Sequence, residues 1–273
     1  MLNLLARRGD IIQAKRNDIL WHLDLREGID LSIYLLGGFE LKTYKTYQNL
    51  IKPGQTVIDI GANIGAYTLN FAKIVGNNGS VIAFEPTDYA FNKLKCNINL
   101  NPNLAKRIRS YKIMLGKENK SIMEDYVYSS WPVMDYEIHG VDKHPIHGGR
   151  LKSVRNVEMW KLDSFIKEKN INCVDFIKID VDGYEADILE GSKNTLAKFK
   201  PIIGFEVAPY TLEEKGKSLM HILDYLIPLK YELFNANSRN KLPCDAELLS
   251  EIKGSSINVV AITERHIRQP RLK

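Results

Sequence analysis

The sequence predicts an α/β fold: a mostly parallel central sheet, helices on both faces and a C-terminal antiparallel strand pair. Three observations carry the expectation. From about residue 51, short β-branched runs alternate with helix-length amphipathic segments, the pattern of a parallel sheet covered by helices. The first run, 57–60, enters a Gly-rich turn, Gly61-Ala62-Asn63-Ile64-Gly65, at the head of a helix. Later strands close on carboxylates, at Glu85, Asp180 and Glu206.

The elements follow in order. After the Gly-rich turn, Ile64, Thr68, Phe71, Ala72 and Val75 recur at helical spacing, and Gly76-Asn77-Asn78-Gly79 ends that helix. Residues 81–84 form a buried-strand run closed by Glu85-Pro86. A second helix carries Phe91, Leu94 and Ile98 on one face and breaks at Asn101-Pro102-Asn103. A third strand is expected over 108–114. Residues 116–154 are polar, aromatic and interrupted by Gly and Pro, and predict an insertion of irregular or short β structure. A strand at 156–160 and a short helix at 162–169 lead back to regular alternation. The apolar strand 174–180, a helix over 184–196, a strand over 201–206 and a helix around Leu219–Leu226 follow. The strands 231–234 and 257–262 are expected to pair antiparallel. Residues 1–50 predict an N-terminal cap, and 51–273 the core with the insertion at about 116–154.

Composition narrows the class. The chain has 273 residues, 44% hydrophobic, with 38 Lys and Arg against 33 Asp and Glu, a net charge of +5. Such mild basicity does not demand a nucleic-acid partner. Cys96, Cys173 and Cys244 are far apart with no CxxC, which argues against a disulfide framework and a cysteine zinc site. The first eight residues lack the basic flank of a secretory signal, and no apolar run reaches membrane-span length. A cytoplasmic protein is expected.

Ligands of open α/β sheets bind at the carboxyl ends of the strands, where the strand order reverses. Gly61 and Gly65 allow a tight turn and a close backbone approach beneath a helix N-terminus. Glu85 lies 20 residues after Gly65, where a carboxylate can accept the hydroxyls of a ribose. The G-x-G-x-x-G fingerprint is absent, since Asn63 takes the middle glycine position, and Asp59 would repel a phosphate. Asp59 instead suits a ligand with a cationic end, such as the amino and sulfonium groups of S-adenosylmethionine.

The blocks VIDIGANIGAYT (57–68), VIAFEPT (81–87), NKLKCNINLN (92–101), KLDSF (161–165), VDFIKIDVDGYEADILEG (174–191) and PIIGFE (201–206) resemble, in order, the FkbM family of S-adenosylmethionine-dependent methyltransferases. The likeness runs through roughly 38–207, and Asp182 stands where the family usually has Glu. It implies a Rossmann-like class I methyltransferase fold and methyl transfer to a hydroxyl, often of a sugar or glycan. S-Adenosylmethionine is the implied cofactor, with S-adenosylhomocysteine as product. Its implied contacts are Asp59, Gly61, Ala62, Asn63, Gly65, Tyr67, Glu85, Pro86, Leu115, Asp180 and Glu40. Backbone amides at Leu115-Gly116 are expected beside the adenine.

Methyl transfer to an alcohol is an in-line displacement, so positioning matters and a base must reach the hydroxyl. Asp180 is the first candidate for base or orienting group, then Glu206 and Asp182; helix capping is the competing explanation for Asp180. The insertion holds Tyr126, Tyr128, Trp131 and Tyr136, whose rings suit a sugar or pack the insertion onto the core. It also holds His139, His144 and His147, with His144 a candidate base. A metal site there is not expected, because spacing in such a loop fixes no geometry. One alternative is an RNA ribose 2'-O-methyltransferase, for which Lys106, Arg107, Arg109, Lys112, Lys117, Lys120 and the C-terminal Arg265, Arg268, Arg271 and Lys273 speak. The same basic stretch can also contact acidic or phosphorylated acceptors. The other alternative is a non-catalytic cofactor-binding module of a glycan-assembly system.

Overall fold

The computed structural model describes residues 11–133, 144, 146 and 148–267, with the backbone alone at 123–125 and 267. The described chain opens on a hairpin of β1 (Ile11–Arg16) and β2 (Ile19–Asp24), then helices Gly28–Leu36 and Leu41–Leu50. The alternation expected from residue 51 follows as β3 (Thr56–Ile60), helix Ala66–Val75, β4 (Ser80–Phe84), helix Asp88–Asn99 and β5 (Ile108–Tyr111). After β6 (Met114–Leu115), β7 (Lys120–Ser130), β8 (Arg150–Trp160) and helix Leu162–Glu168 it resumes. There β9 (Phe176–Ile179), helices Glu185–Glu190 and Lys193–Phe199, and β10 (Ile202–Val207) lead to helices Pro209–Glu214 and Leu219–Leu226. The last strands are β11 (Tyr231–Asn235), β12 (Lys241–Leu242) and β13 (Ile257–Thr263).

The central sheet has the spatial order β12-β11-β13-β10-β9-β3-β4-β5. From β10 to β5 all neighbours are parallel, while β13 runs antiparallel to both β10 and β11. Strand order reverses between β3 and β9, and a crevice forms there because the helices after the two strands cover opposite faces. Both faces of β3, β4 and β9 are covered, which is why they read as continuous apolar runs rather than alternating ones.

Three expectations change. Residues 108–114 are not one strand: β5 closes the central sheet, and β6 pairs with β8 in a separate three-stranded sheet. Residues 184–196 form two helices, broken at Gly191-Ser192. A Cβ on Gly191 would lie 2.1 Å from the Gly116 carbonyl oxygen, so the break brings two backbones into contact that a continuous helix with side chains would hold apart. The described part of the insertion is regular. Its β7 and β8 are 11-residue strands forming an antiparallel ribbon with register shifts near Met123 and Tyr128. Each shift moves side chains to the other face and erases the period of two that marks a strand in sequence.

Residues 11–50 pack closely on the core on both faces of the sheet. Ile19, Trp21 and Leu23 of β2 are buried against Ile64, Leu94 and Ile98. Asn97 and Asn101, one turn apart on helix Asp88–Asn99 and its exit, bind the β2 backbone: Asn97 Oδ1 accepts from His22 N at 2.7 Å and Asn101 Oδ1 from Leu20 N at 2.9 Å. On the other face, Tyr47 of helix Leu41–Leu50 is buried against Phe71 and Phe176. Among the described residues no helix is long and apolar enough to cross a membrane.

Candidate functional site

A cavity of about 440 Å³ opens over the carboxyl ends of β3, β4, β9 and β10. Its floor is the turn after β3. Gly61 holds φ +76°, and a Cβ there would lie 1.9 Å from the Asp180 carbonyl oxygen, so the turn and the end of β9 touch backbone to backbone. The amides of Gly61 and Ala62 both donate to the Phe84 carbonyl, at 3.1 and 2.9 Å, fixing the turn to the end of β4.

Glu85, just past β4, is buried and lines the cavity. Its Oε1 accepts from the amide and hydroxyl of Thr87 at 3.0 and 2.7 Å, and its Oε2 accepts from Asn63 N at 3.0 Å. An ionised carboxylate accepts about four bonds, so one site stays open on Oε2. A second opens if the Thr87 hydroxyl turns to Ser129 Oγ, 3.0 Å away. Burial raises the Glu85 carboxyl above its ordinary range despite these donors.

Opposite Glu85 stand Glu40, Asp180, Asp182 and Glu206. Phe205 pairs with Ile179 across the β10–β9 ladder, which sets Glu206 level with Asp180. Asp180 is not a helix cap: the N-cap of helix Glu185–Glu190 is Tyr184, with no side-chain cap bond, and Glu185 accepts from Val181 N at 3.2 Å and Gly183 N at 3.0 Å ahead of the helix. Asp180 faces the cavity and pairs with Lys178, Nζ to Oδ2 3.1 Å. Glu40 accepts from the Tyr67 hydroxyl at 2.8 Å and from Asn258 Nδ2 at 3.0 Å. Burial, then the Asp180 charge, pushes Glu206 up to about 8 against the Ser256 hydroxyl bonded to it. The same two causes raise Glu40, and raise Asp182 well above the carboxylate range. Burial pushes Glu185 up to about 7.

Lys178 is the residue the sequence reading missed. Only 4% exposed, it sits behind the cavity with Nζ 3.6 Å from Asp59 Oδ1, 3.3 Å from the Gly61 carbonyl and 4.9 Å from the Tyr67 ring centre. Burial alone would lower its pKa, but Asp180, Asp59 and Glu40 together raise it, so the charge stays. The signal was present: a lysine inside an apolar strand, two residues before Asp180 and hence on the same face.

Of the expected contacts, Gly61, Asn63, Glu85, Pro86, Leu115, Asp180 and Glu40 line the cavity, as do Glu206 and Asp182. Asp59, Ala62, Gly65 and Tyr67 do not. Asp59 is fully buried; it accepts from Thr68 Oγ1 at 2.5 Å and faces Lys178, so it anchors a cation instead of meeting a ligand. Ala62 packs in the core under β2, and Tyr67 presents its hydroxyl to Glu40. The Gly116 amide is held by the Trp160 carbonyl at 3.0 Å and offers nothing to an adenine ring.

Tyr128, Trp131, Tyr184 and Tyr210 supply the aromatic wall. Tyr126 is 53% exposed and does not line the cavity, and Tyr136 lies outside the described residues. Trp131 is held through its backbone, its amide donating to Glu27 Oε2 at 2.9 Å and its carbonyl accepting from Gly28 N at 2.7 Å. His144 is buried behind the wall, with ring centres 5.1 Å from Tyr128 and 5.6 Å from Tyr210. Its Nδ1 accepts from Ile146 N at 3.1 Å and its Nε2 lies 2.6 Å from Glu214 Oε1. With both nitrogens engaged, it braces the wall and has no lone pair for a substrate. His139 and His147 lie outside the described residues, among which no group of three or more His, Cys, Asp or Glu is placed to hold a metal.

Comparison with known proteins agrees with the geometry. The sequence model of the family described as Methyltransferase FkbM domain matches residues 59–236. The chain is 28% identical over 193 residues to the 2-O-methyltransferase NoeI of Sinorhizobium fredii, covering 68% of this chain and 77% of that protein. It is 28% identical over 148 residues to Methyltransferase 1 of Beauveria bassiana, covering 50% of this chain and 57% of that one. Among solved structures, a Methyltransferase FkbM from Methylobacillus flagellatus aligns with TM-score 0.46 and 15% identity over 80% of this chain and 50% of that chain.

Proposed function

The chain belongs to the FkbM methyltransferase family, and from that premise we propose that it moves the methyl group of S-adenosylmethionine to a hydroxyl oxygen of a sugar or glycan. One observation carries the reading: five carboxylates line the cavity, and no Lys, Arg or His does among the described residues. A site so charged suits a sulfonium cofactor bearing an ammonium group and repels a nucleotide phosphate. The residues fit that cofactor elsewhere too. Glu85 keeps an open acceptor site for a ribose hydroxyl, and Phe84, Ile113 and Leu115 give an apolar slot for an adenine.

When bound, S-adenosylmethionine supplies an electrophilic methyl carbon on a cationic sulfur. The chain's own groups do the rest. Glu40 and Asp180 face the cationic end, and Lys178 fixes Asp180 in place. A hydroxyl held between Asp180 and Glu206 has Asp180 to take its proton as the oxygen attacks, while Glu206, raised to about 8, is mostly the protonated acid at neutral pH and orients the hydroxyl. The aromatic wall, with Tyr128 and Trp131 at the mouth, offers apolar ring faces and polar edges to a sugar. It also excludes water from the displacement.

Titration calorimetry with S-adenosylmethionine, followed by mass spectrometry of candidate glycosides, tests the reading. Binding with a gain of one methyl group on an oxygen supports it. Binding without any product leaves a cofactor-binding module, and no binding overturns both.

A further inference from the structure

The charge around the cavity also constrains the acceptor. The five lining acids are Glu40, Glu85, Asp180, Asp182 and Glu206, with Lys178 behind them, already shared by Asp59 and Asp180. No Lys, Arg or His is among the described lining residues. Of the neutral donors, the Ser256 hydroxyl is bonded to Glu206, and that of Tyr184 accepts from Lys215 Nζ at 3.0 Å. The described part of the basic stretch expected to meet acidic acceptors is elsewhere. Arg107 binds the Ala72 carbonyl and Asn77, Lys112 pairs with Asp88 at 2.7 Å, and Lys120 with Glu118 at 2.7 Å. Lys106, Arg109 and Lys117 are exposed and do not line the cavity.

Resting on the proposed methyl transfer, we infer that the accepting sugar is neutral or carries an amino group, and that uronic, sulfated and phosphorylated sugars are excluded. The preference comes from those lining acids that are ionised. An ionised carboxylate repels an anionic acceptor and attracts an ammonium, and a protonated one gives a neutral hydroxyl both a donor and an acceptor. A like charge brought beside a buried carboxylate is a strong discriminator, because little water separates the two. RNA falls to the same argument, since phosphates flank every ribose hydroxyl.

The test compares matched acceptors under a radiolabelled methyl donor: methyl glycosides of neutral hexoses and 6-deoxyhexoses, chitosan oligosaccharides, oligogalacturonides, and hexose 6-phosphates. We expect neutral or amino members to exceed their acidic counterparts about 100-fold or more in kcat/KM. An acidic or phosphorylated member methylated as well as its neutral counterpart overturns this inference and leaves the methyltransferase reading standing. Label on no sugar, with cofactor binding intact, overturns the sugar reading itself and the inference with it.

Discussion

On the proposed reading, the cofactor half and the acceptor half of the cavity are built in different ways. The first comes from strand ends that are neighbours in the sheet: the turn after β3, Glu85 after β4 and Asp180 after β9, held by backbone contacts such as that between Gly61 and the Asp180 carbonyl. The second is assembled from four distant segments. Trp131 leaves the inserted ribbon, Glu27 and Gly28 come from before the core, Tyr184 from the turn after β9, and Tyr210 from the helix after β10. One half is an intrinsic property of the fold. The other is decoration that can change while the fold stays, which is how a single scaffold takes many acceptors.

If the halves are separable, Asp180→Asn separates them most sharply. Turnover should fall about a thousandfold, within the range for losing a positioned base, while calorimetry still finds the cofactor bound. Full activity would remove Asp180 from the mechanism.

Lys178→Met tests what joins the halves from behind. It leaves Asp59 and Asp180 without their cation, and breaking a buried pair this way costs about 3–5 kcal/mol in denaturant unfolding at neutral pH. Lys178→Arg should recover part of the stability; unchanged unfolding in the Met variant would refute the role.

Glu206 gives the comparison a pH signature. Its folded pKa, about 8, lies above the ordinary carboxylate value, so the folded state binds the extra proton. The associated stability is complete below the unfolded pKa and is lost as pH rises through about 8. Thermal melts of the ligand-free protein should therefore drop from about pH 5 to about pH 8. Glu206→Gln should reduce that slope, leaving the fall due to the other acids that folding raises, Glu185 to about 7 and Asp182, Glu40 and Glu85 with it. A parallel decline in both proteins would show that Glu206 is not the titrating group.

Trp131→Ala reaches only the acceptor side. Since the backbone of residue 131 is what Glu27 and Gly28 hold, the ribbon should keep its path. The acceptor KM should rise about tenfold with cofactor affinity unchanged. Equal loss of both would mean that the halves are not separate. The smallest effect is expected from a chelator, which should leave turnover as it was, because His144 is committed to Glu214 and Ile146. Loss restored by a divalent ion would reverse that.

Legibility followed the same division. Asp180, Glu85, Gly61 and Asn63 were readable because each stands at a strand end or turn whose neighbours in sequence announce it. Asp59 does not line the cavity for a physical reason: its position in the strand was clear, but which side of the sheet it faces depends on Lys178 and Thr68 across the core. The partner of His144 was hidden likewise, since only the folded chain brings Glu214 to its ring. The ribbon was hidden by bulges that break the alternation of β7 and β8.

By itself the sequence determined the parallel sheet, the turn after its first core strand and the carboxylates at the strand ends, because apolar periodicity and glycine placement act over a few residues. Only the tertiary structure decided which acids face the cavity, that Lys178 pairs with Asp180 from behind, and that a ribbon and an N-terminal loop meet at Trp131. Those outcomes depend on contacts between segments up to 218 residues apart, such as Glu40 with Asn258 and Glu27 with Ser130 and Trp131. No local pattern encodes such pairings; burial and charge balance select them once the chain has folded.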